Sequence, residues 1–343
     1  MLEDADSEEI WRAVLSTNIP TGLDRNFIRS EYELVVDKMG IDSEESYLTT
    51  IRSGRPRLDR KQRKALWPVF QEFNRILHKR NLLTVEGLVH RARLIVERGG
   101  FPTFRHVLVD ELQDFSLEAL RLIAAISNVS AGNANPLCVV GDGHQRIYNA
   151  TPIPLSRAGI DVRGRSRRLK INYRTSEQIR KWAHGLLSRV AIDDLDGGIA
   201  DTTGDQSVFR GPDPQIRKSD ERETLARYAV TWIQHLINDL KLGSHEICVT
   251  PNIGFLRTAL ESADIKTLEL KPRQADPGQS EPGIRFGSMQ RIKGLEFRAI
   301  VMILDNDLPE NGDTRQCFER YVAATRAREH LMVLVQERGD HLR

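Results

Sequence analysis

The chain has 343 residues, 40% of them hydrophobic and 29% charged, with 24 glycines and 14 prolines, which excludes a disordered, collagen-like or low-complexity protein. At roughly 100 to 200 residues per domain there is room for two domains, and 50 basic against 48 acidic residues leave a net charge of +2, so only the distribution of charge informs. The acidic start MLEDADSEE lacks an apolar h-region, no apolar run reaches the ~18 residues that span a bilayer, and Cys138, Cys248 and Cys317 stand too far apart for a zinc pattern, which together indicate a cytoplasmic protein with no membrane partner.

The first hundred residues read as helices. Ser7 precedes the apolar set Ile10, Trp11, Val14 and Leu15; Asp42 with Glu45, and Asp59 with Gln62, have the spacing of a capping box. Leu66, Phe70, Phe73 and Leu77 keep a helical period in which Pro68 predicts a kink or restart, and Thr84 is placed to cap a further helix. From residue 104 the texture changes to short β-branched runs alternating with helical segments, as in a parallel sheet with crossover helices. Strands are predicted at 106–109, 137–140, 247–250, 284–289, 299–304 and 330–335, and helices near 116–127, 176–189, 221–240, 254–263 and 316–328. The fold class is therefore α/β, with a helical subdomain over 1–103, a first α/β domain over 104–160 and a second over 161–343.

Chemistry concentrates at the ends of the first two strands. RHVLVDELQD sets an apolar strand directly before Asp110, Glu111, Gln113 and Asp114, at the carboxyl edge where open parallel sheets bind ligands. A carboxylate there can hold Mg²⁺ through water, and a neighbour can orient an attacking water. LCVVGDGHQRIY ends the same way, bringing Asp142, Gln145 and Tyr148, with His144 read as a solvated bystander. Residues 163–181 carry Arg163, Arg165, Arg167, Arg168, Lys170, Arg174, Arg180 and Lys181 against Glu177 alone. Such a run suits a polyanion, and Tyr173 beside Arg174 adds an aromatic face next to a guanidinium fork.

In order and spacing these segments resemble the motifs of the superfamily 1 UvrD/Rep/PcrA-like DNA helicases. DELQD is similar to their Walker B motif, GDGHQRIY and LKINYRT to the next two, and SMQRIKGLEFRAIVMI and ERYVAATRAREHL to the last two, over about residues 105–335. The resemblance implies two RecA-like domains of the P-loop NTPase type, the first one incomplete, in a compact member without the large inserted domain. It implies ATP and Mg²⁺ as cofactors, single-stranded or partly duplex DNA as partner, and 3′ to 5′ movement. Asp110 would hold the metal and Glu111 would be the base; Gln113, Asp142 and Gln145 would sense the γ-phosphate. Tyr173 would stack on adenine, Arg174 and Arg326 would be arginine fingers, and Gly294 and Glu296 would lie near the ribose. Arg165, Arg167, Arg168, Tyr148 and Gln290 would face DNA.

The sequence also departs from that pattern. It contains no Gly-x-x-x-x-Gly-Lys-Ser/Thr, the loop that cradles phosphates. Without such a loop about four charge-assisted hydrogen bonds to phosphate go unmade, worth roughly 6 kcal/mol or more of binding, so these residues alone are expected to hydrolyse ATP hardly at all. The strand that belongs beside the acid-bearing strands is missing with it, which predicts an apolar edge covered by another polypeptide that supplies the loop, by a helix of residues 1–100, or by self-association. Asn149-Ala150-Thr151 replaces the aromatic-Arg-Gly of the larger helicases, and Gln290 stands where histidine is frequent. Two other readings stay open: a non-catalytic DNA- or partner-binding relative, and a metal-dependent nuclease built on Asp110, Glu111, Asp114 and Asp142.

Overall fold

The computed structural model describes residues 1–17, 20, 22–52, 55–99, 101–127, 136–147, 153–192, 194–195, 198–200, 204–251, 253–272, 274–305 and 314–337. They divide into two compact units. The first takes the described residues up to Asp142, with 153–166, 195 and 198; the second takes Gly143–Ile147, Arg167–Asp194 and the described residues from Ile199 onward.

The first unit begins with helices α1 (Asp4–Thr17), α2 (Arg25–Glu31), a π-helical turn (Tyr32–Asp37), α3 (Glu44–Thr49), α4 (Arg60–Lys79) and α5 (Val85–Glu97). Their apolar faces close on one core that holds Ile10, Trp11, Tyr32, Tyr47, Phe70 and Phe73, with Trp11 stacked on Phe73 at 4.1 Å. Asp59 and Gln62 form the capping box, and the Thr84 hydroxyl accepts from the Gly87 amide, as their spacing predicts. Elsewhere the starts differ from expectation: Ser43, not Asp42, caps α3, and Ser7 lies inside α1, its amide donating to the Glu3 carbonyl. Pro68 sits within a single helix, α4, because burial of Leu66, Trp67, Val69, Phe70, Phe73 and Leu77 on one side outweighs the one backbone bond it removes.

Two buried carboxylates staple this unit. Glu31 is fully buried and accepts from both Arg52 and Arg55 and from the Tyr47 hydroxyl. Glu118, equally buried, accepts from Arg93 and Arg121 and pairs with His90 at 2.8 Å, joining α5 to α6 (Leu117–Ile126). Beyond them β1 (Val107–Val109) and β2 (Leu137–Val139) pair in parallel, Val107 opposite Leu137 and Val109 opposite Val139, with α6 as the crossover. One face of the pair packs on Leu117, Leu120 and Leu155. The other is open: Leu108 is 81% exposed and Val140 54%, with Cys138 exposed between them.

The second unit is built on a six-stranded parallel sheet in the order β5-β10-β9-β6-β8-β7, comprising β5 (Gln215–Ser219), β6 (Ile247–Thr250), β7 (Thr267–Glu269), β8 (Ile284–Phe286), β9 (Phe297–Leu304) and β10 (Ala327–Gln336). Alternate residues of β9 and β10 feed two cores, one under α7 (Glu177–Leu186) and α10 (Thr314–Ala324), the other under α8 (Arg222–Asn238) and α9 (Gly254–Ser262). Coverage of both faces explains why the central strands read as unbroken apolar runs. A separate parallel pair, β3 (Ile171–Asn172) and β4 (Gln206–Ser207), precedes it. Helices alternating with parallel strands make this an α/β fold.

Candidate functional site

In the first unit, β1 delivers Asp110 and Glu111 to its carboxyl end. Glu111 lies at φ 53°, a left-handed conformation uncommon for a residue with a side chain, and the Asp110 carboxylate accepts its amide at 2.8 Å. Gln113, 2% exposed, ties the two strand ends together: its Nε2 donates to Glu111 Oε2 at 2.5 Å, and its Oε1 accepts from the Asp142 amide at 2.9 Å. Gly141 is required beside it, since a Cβ there would stand 2.9 Å from both Gln113 Oε1 and Leu112 Cβ. Asp110, Glu111, Gln113 and Asp142 thus form one polar edge, with Asp110 exposed. An exposed carboxylate at a parallel strand end fits a hydrated Mg²⁺, whereas nothing in the sequence supplies the phosphate loop. Among the described residues no three His, Cys, Asp or Glu side chains converge to hold a metal ion, the arrangement a two-metal nuclease centre needs.

Gln145 belongs elsewhere. Although it follows Asp142 by three residues, it lies in the second unit, where its Oε1 accepts from Arg326 Nη2 at 3.0 Å and its backbone carbonyl accepts from Lys293 Nζ at 3.0 Å. Arg326 sits in the turn between α10 and β10, 1% exposed, and also donates from Nε to the Val322 carbonyl. The segment 325–328, expected to end a helix, instead turns at Thr325 and enters β10 at Ala327, because the Thr325 hydroxyl donates back to the Tyr321 and Val322 carbonyls and closes the helix.

After β3 the Asn172 side chain accepts the amides of Arg174 and Thr175, which turns the chain and leaves Tyr173 72% exposed. The Thr175 hydroxyl donates to the Thr325 carbonyl, tying this turn to the Arg326 turn. Arg174 pairs with Glu296 at 2.6 Å, near Gly294, whose φ of +83° needs glycine. Gln290 donates to Glu319.

The basic run is more neutralised than its composition suggests. Arg163 pairs with Asp161, Arg168 with Asp205, and both Arg180 and Lys181 with Glu177. Hydrogen bonds from Arg180, with the Ser207 amide, hold the Glu177 carboxyl down at about 2. Arg165 and Arg167 are exposed. Tyr148 lies outside the described residues. Sequence reasoning passed over Lys293, visible only as part of the KGLEF segment, and misjudged His144, which is 9% exposed and packed among rings rather than solvated.

Comparison with known proteins agrees with these motifs. The family model described as UvrD/REP helicase N-terminal domain matches residues 9–150. DNA helicase IV of Escherichia coli is 33% identical over 97 residues, 28% of this chain and 14% of that protein. The ATP-dependent DNA helicases UvrD1 of Mycobacterium bovis and Mycobacterium tuberculosis are each 26% identical over 258 residues, 71% of this chain. The chain spans about a third of the length of those mycobacterial relatives, 31%. No helix among the described residues is long and apolar enough to cross a membrane. In its ordered motifs and in these relatives, the chain is similar to the UvrD-like helicases.

Proposed function

We propose that this chain is part of an ATP-dependent DNA helicase or translocase, with its α/β units in the role of two RecA-like domains. The observation that carries the reading is the Arg326–Gln145 hydrogen bond, since it joins the segment suited to sensing the γ-phosphate to the one suited to an arginine finger. ATP–Mg²⁺ supplies the hydrolysable phosphoanhydride and the charge that neutralises it. Asp110 holds the metal, and Glu111 takes the proton of the attacking water. Gln113, Asp142 and Gln145 report the γ-phosphate; Arg174 and Arg326 neutralise charge on the phosphoryl oxygens, a contribution of about 10³ to 10⁵ in rate for an arginine finger. Tyr173 offers its exposed ring to adenine, and Gly294 and Glu296 lie on the ribose side. Single-stranded or partly duplex DNA engages Arg165, Arg167, Arg168, Tyr148 and Gln290, with 3′ to 5′ polarity, in cytoplasmic DNA repair.

The phosphate loop comes from a polypeptide segment that also covers β1 and β2. The open face bearing Leu108 and Val140 supports this, because parallel strands are ordinarily covered on both sides. The second reading, a DNA- or partner-binding relative without catalysis, draws on the absence of a phosphate loop from these residues. Titrating fluorescent single-stranded DNA with and without a non-hydrolysable ATP analogue, alongside a metal-dependent cleavage assay, separates the readings. Analogue-dependent DNA affinity in the presence of the loop-bearing segment supports the motor, analogue-independent affinity supports the binding module, and cleavage without ATP supports a nuclease.

A further inference from the structure

The roles above leave His144 unused, yet it is only 9% exposed. Its ring meets that of His184 on α7 with centroids 5.3 Å apart and that of Tyr321 on α10 at 5.6 Å. His184 and Tyr321 meet each other edge-on at 5.5 Å, so three elements contribute one ring each to a closed triangle. The next residue, Gln145, is gripped at both ends by Lys293 and Arg326. Two residues further on, Ile147 is 2% exposed in the same core as Ile179 and Ala183. The loop therefore has an anchor on each side of Gln145, and on the Gly143 side that anchor is the His144 ring.

We propose that His144 is a positioning residue: the socket formed by His184 and Tyr321 fixes the backbone of residues 143–147 so that Gln145 Oε1 stays within hydrogen-bond distance of Arg326. An N–H···O bond weakens steeply when the angle falls or the distance leaves about 2.7–3.2 Å. Removing the His144 ring leaves Ile147 as the nearest apolar anchor, on the far side of Gln145, and the amide swings away from the guanidinium. The consequence for phosphate sensing rests on the functional reading above; the geometry does not.

The test uses the full chain without nucleotide. Solvent exchange of the Arg326 Nη–H protons, the ones that reach Gln145, is followed by ¹⁵N-resolved NMR, with the resonance assigned by its loss in Arg326→Lys and the amide of Leu334, fully buried in β10, as an internal reference. We expect His144→Ala to speed Arg326 exchange about tenfold or more, as losing a hydrogen bond to a charged group implies, while His144→Phe restores the wild-type rate and Leu334 is unmoved. His184→Ala, which opens the same socket from the other side, should also accelerate Arg326. Unchanged Arg326 exchange in both alanine variants overturns the proposal, as does His144→Phe exchanging like His144→Ala, or Leu334 accelerating in step with Arg326. Because no nucleotide is present, failure here leaves the ATP reading standing, and a missing ATPase leaves this inference standing.

Discussion

Arg326 and Gln145 are 181 positions apart in sequence and 3.0 Å apart at their side chains, inside one compact unit. The guanidinium is almost wholly buried, so each acceptor it keeps offsets a substantial desolvation cost. Gln145→Ala should destabilise the chain by about 1–3 kcal/mol, the cost of depriving a buried donor of its acceptor. A fall in the urea midpoint with the slope unchanged is the expected result; an unaltered midpoint would show that the pair contributes nothing.

Glu111 is held away from the ordinary backbone regions and bonded to Gln113, and its carboxylate stands beside the exposed Asp110. If it is the base, Glu111→Gln should lower ATP hydrolysis by about 10² to 10⁴ while nucleotide affinity stays close to wild type. Measuring hydrolysis and binding on the same preparation separates a chemical defect from a binding one.

The basic run yields an asymmetric prediction. Arg165 is exposed, whereas Arg168 is engaged by Asp205. Each phosphate contact on a single strand contributes about 0.7 to the slope of log affinity against log salt. Arg165→Ala should flatten that slope by about 0.7, and Arg168→Ala should flatten it less. Equal effects of the two substitutions would mean that Asp205 releases Arg168 on DNA.

Asp37 gives the clearest pH signature. Burial pushes its carboxyl up to about 7, partly opposed by the Thr84 hydroxyl that donates to it. The folded chain therefore keeps a proton that the unfolded chain, near 4, has lost, and stability must fall as pH rises from about 4 to 7. Asp37→Asn keeps the acceptor and removes the charge. It should raise stability at pH 8 by about 1–2 kcal/mol and leave it unchanged near pH 4, as read from urea midpoints at the two pH values.

What could be read in advance was whatever rests on local spacing. The Asp59–Gln62 box, the Thr84 cap and the central strands β6, β9 and β10 all announce themselves within a few residues. The edge strand β5, QIRKS, has neither apolar alternation nor β-branched density, because one edge of it faces solvent, and it left no sequence signal. The same holds for β3, β4 and β7, two or three residues each. At the site, residue types and order exposed the acids and arginines, but partnership was invisible. Gln145 follows Asp142 so closely that the two read as one cluster, and only tertiary packing sends it to Arg326. His144 looked solvated because a loop histidine usually is, and its burial depends on rings from α7 and α10 far along the chain.

The most direct measurement of the central claim is ATP hydrolysis by the chain alone and after it is joined to a phosphate-loop segment, each with and without single-stranded DNA. The account predicts negligible hydrolysis by the chain alone, DNA-stimulated hydrolysis once the loop is supplied, and its loss in Glu111→Gln and Arg326→Ala. Hydrolysis that proceeds without the loop and is indifferent to Glu111→Gln would contradict it.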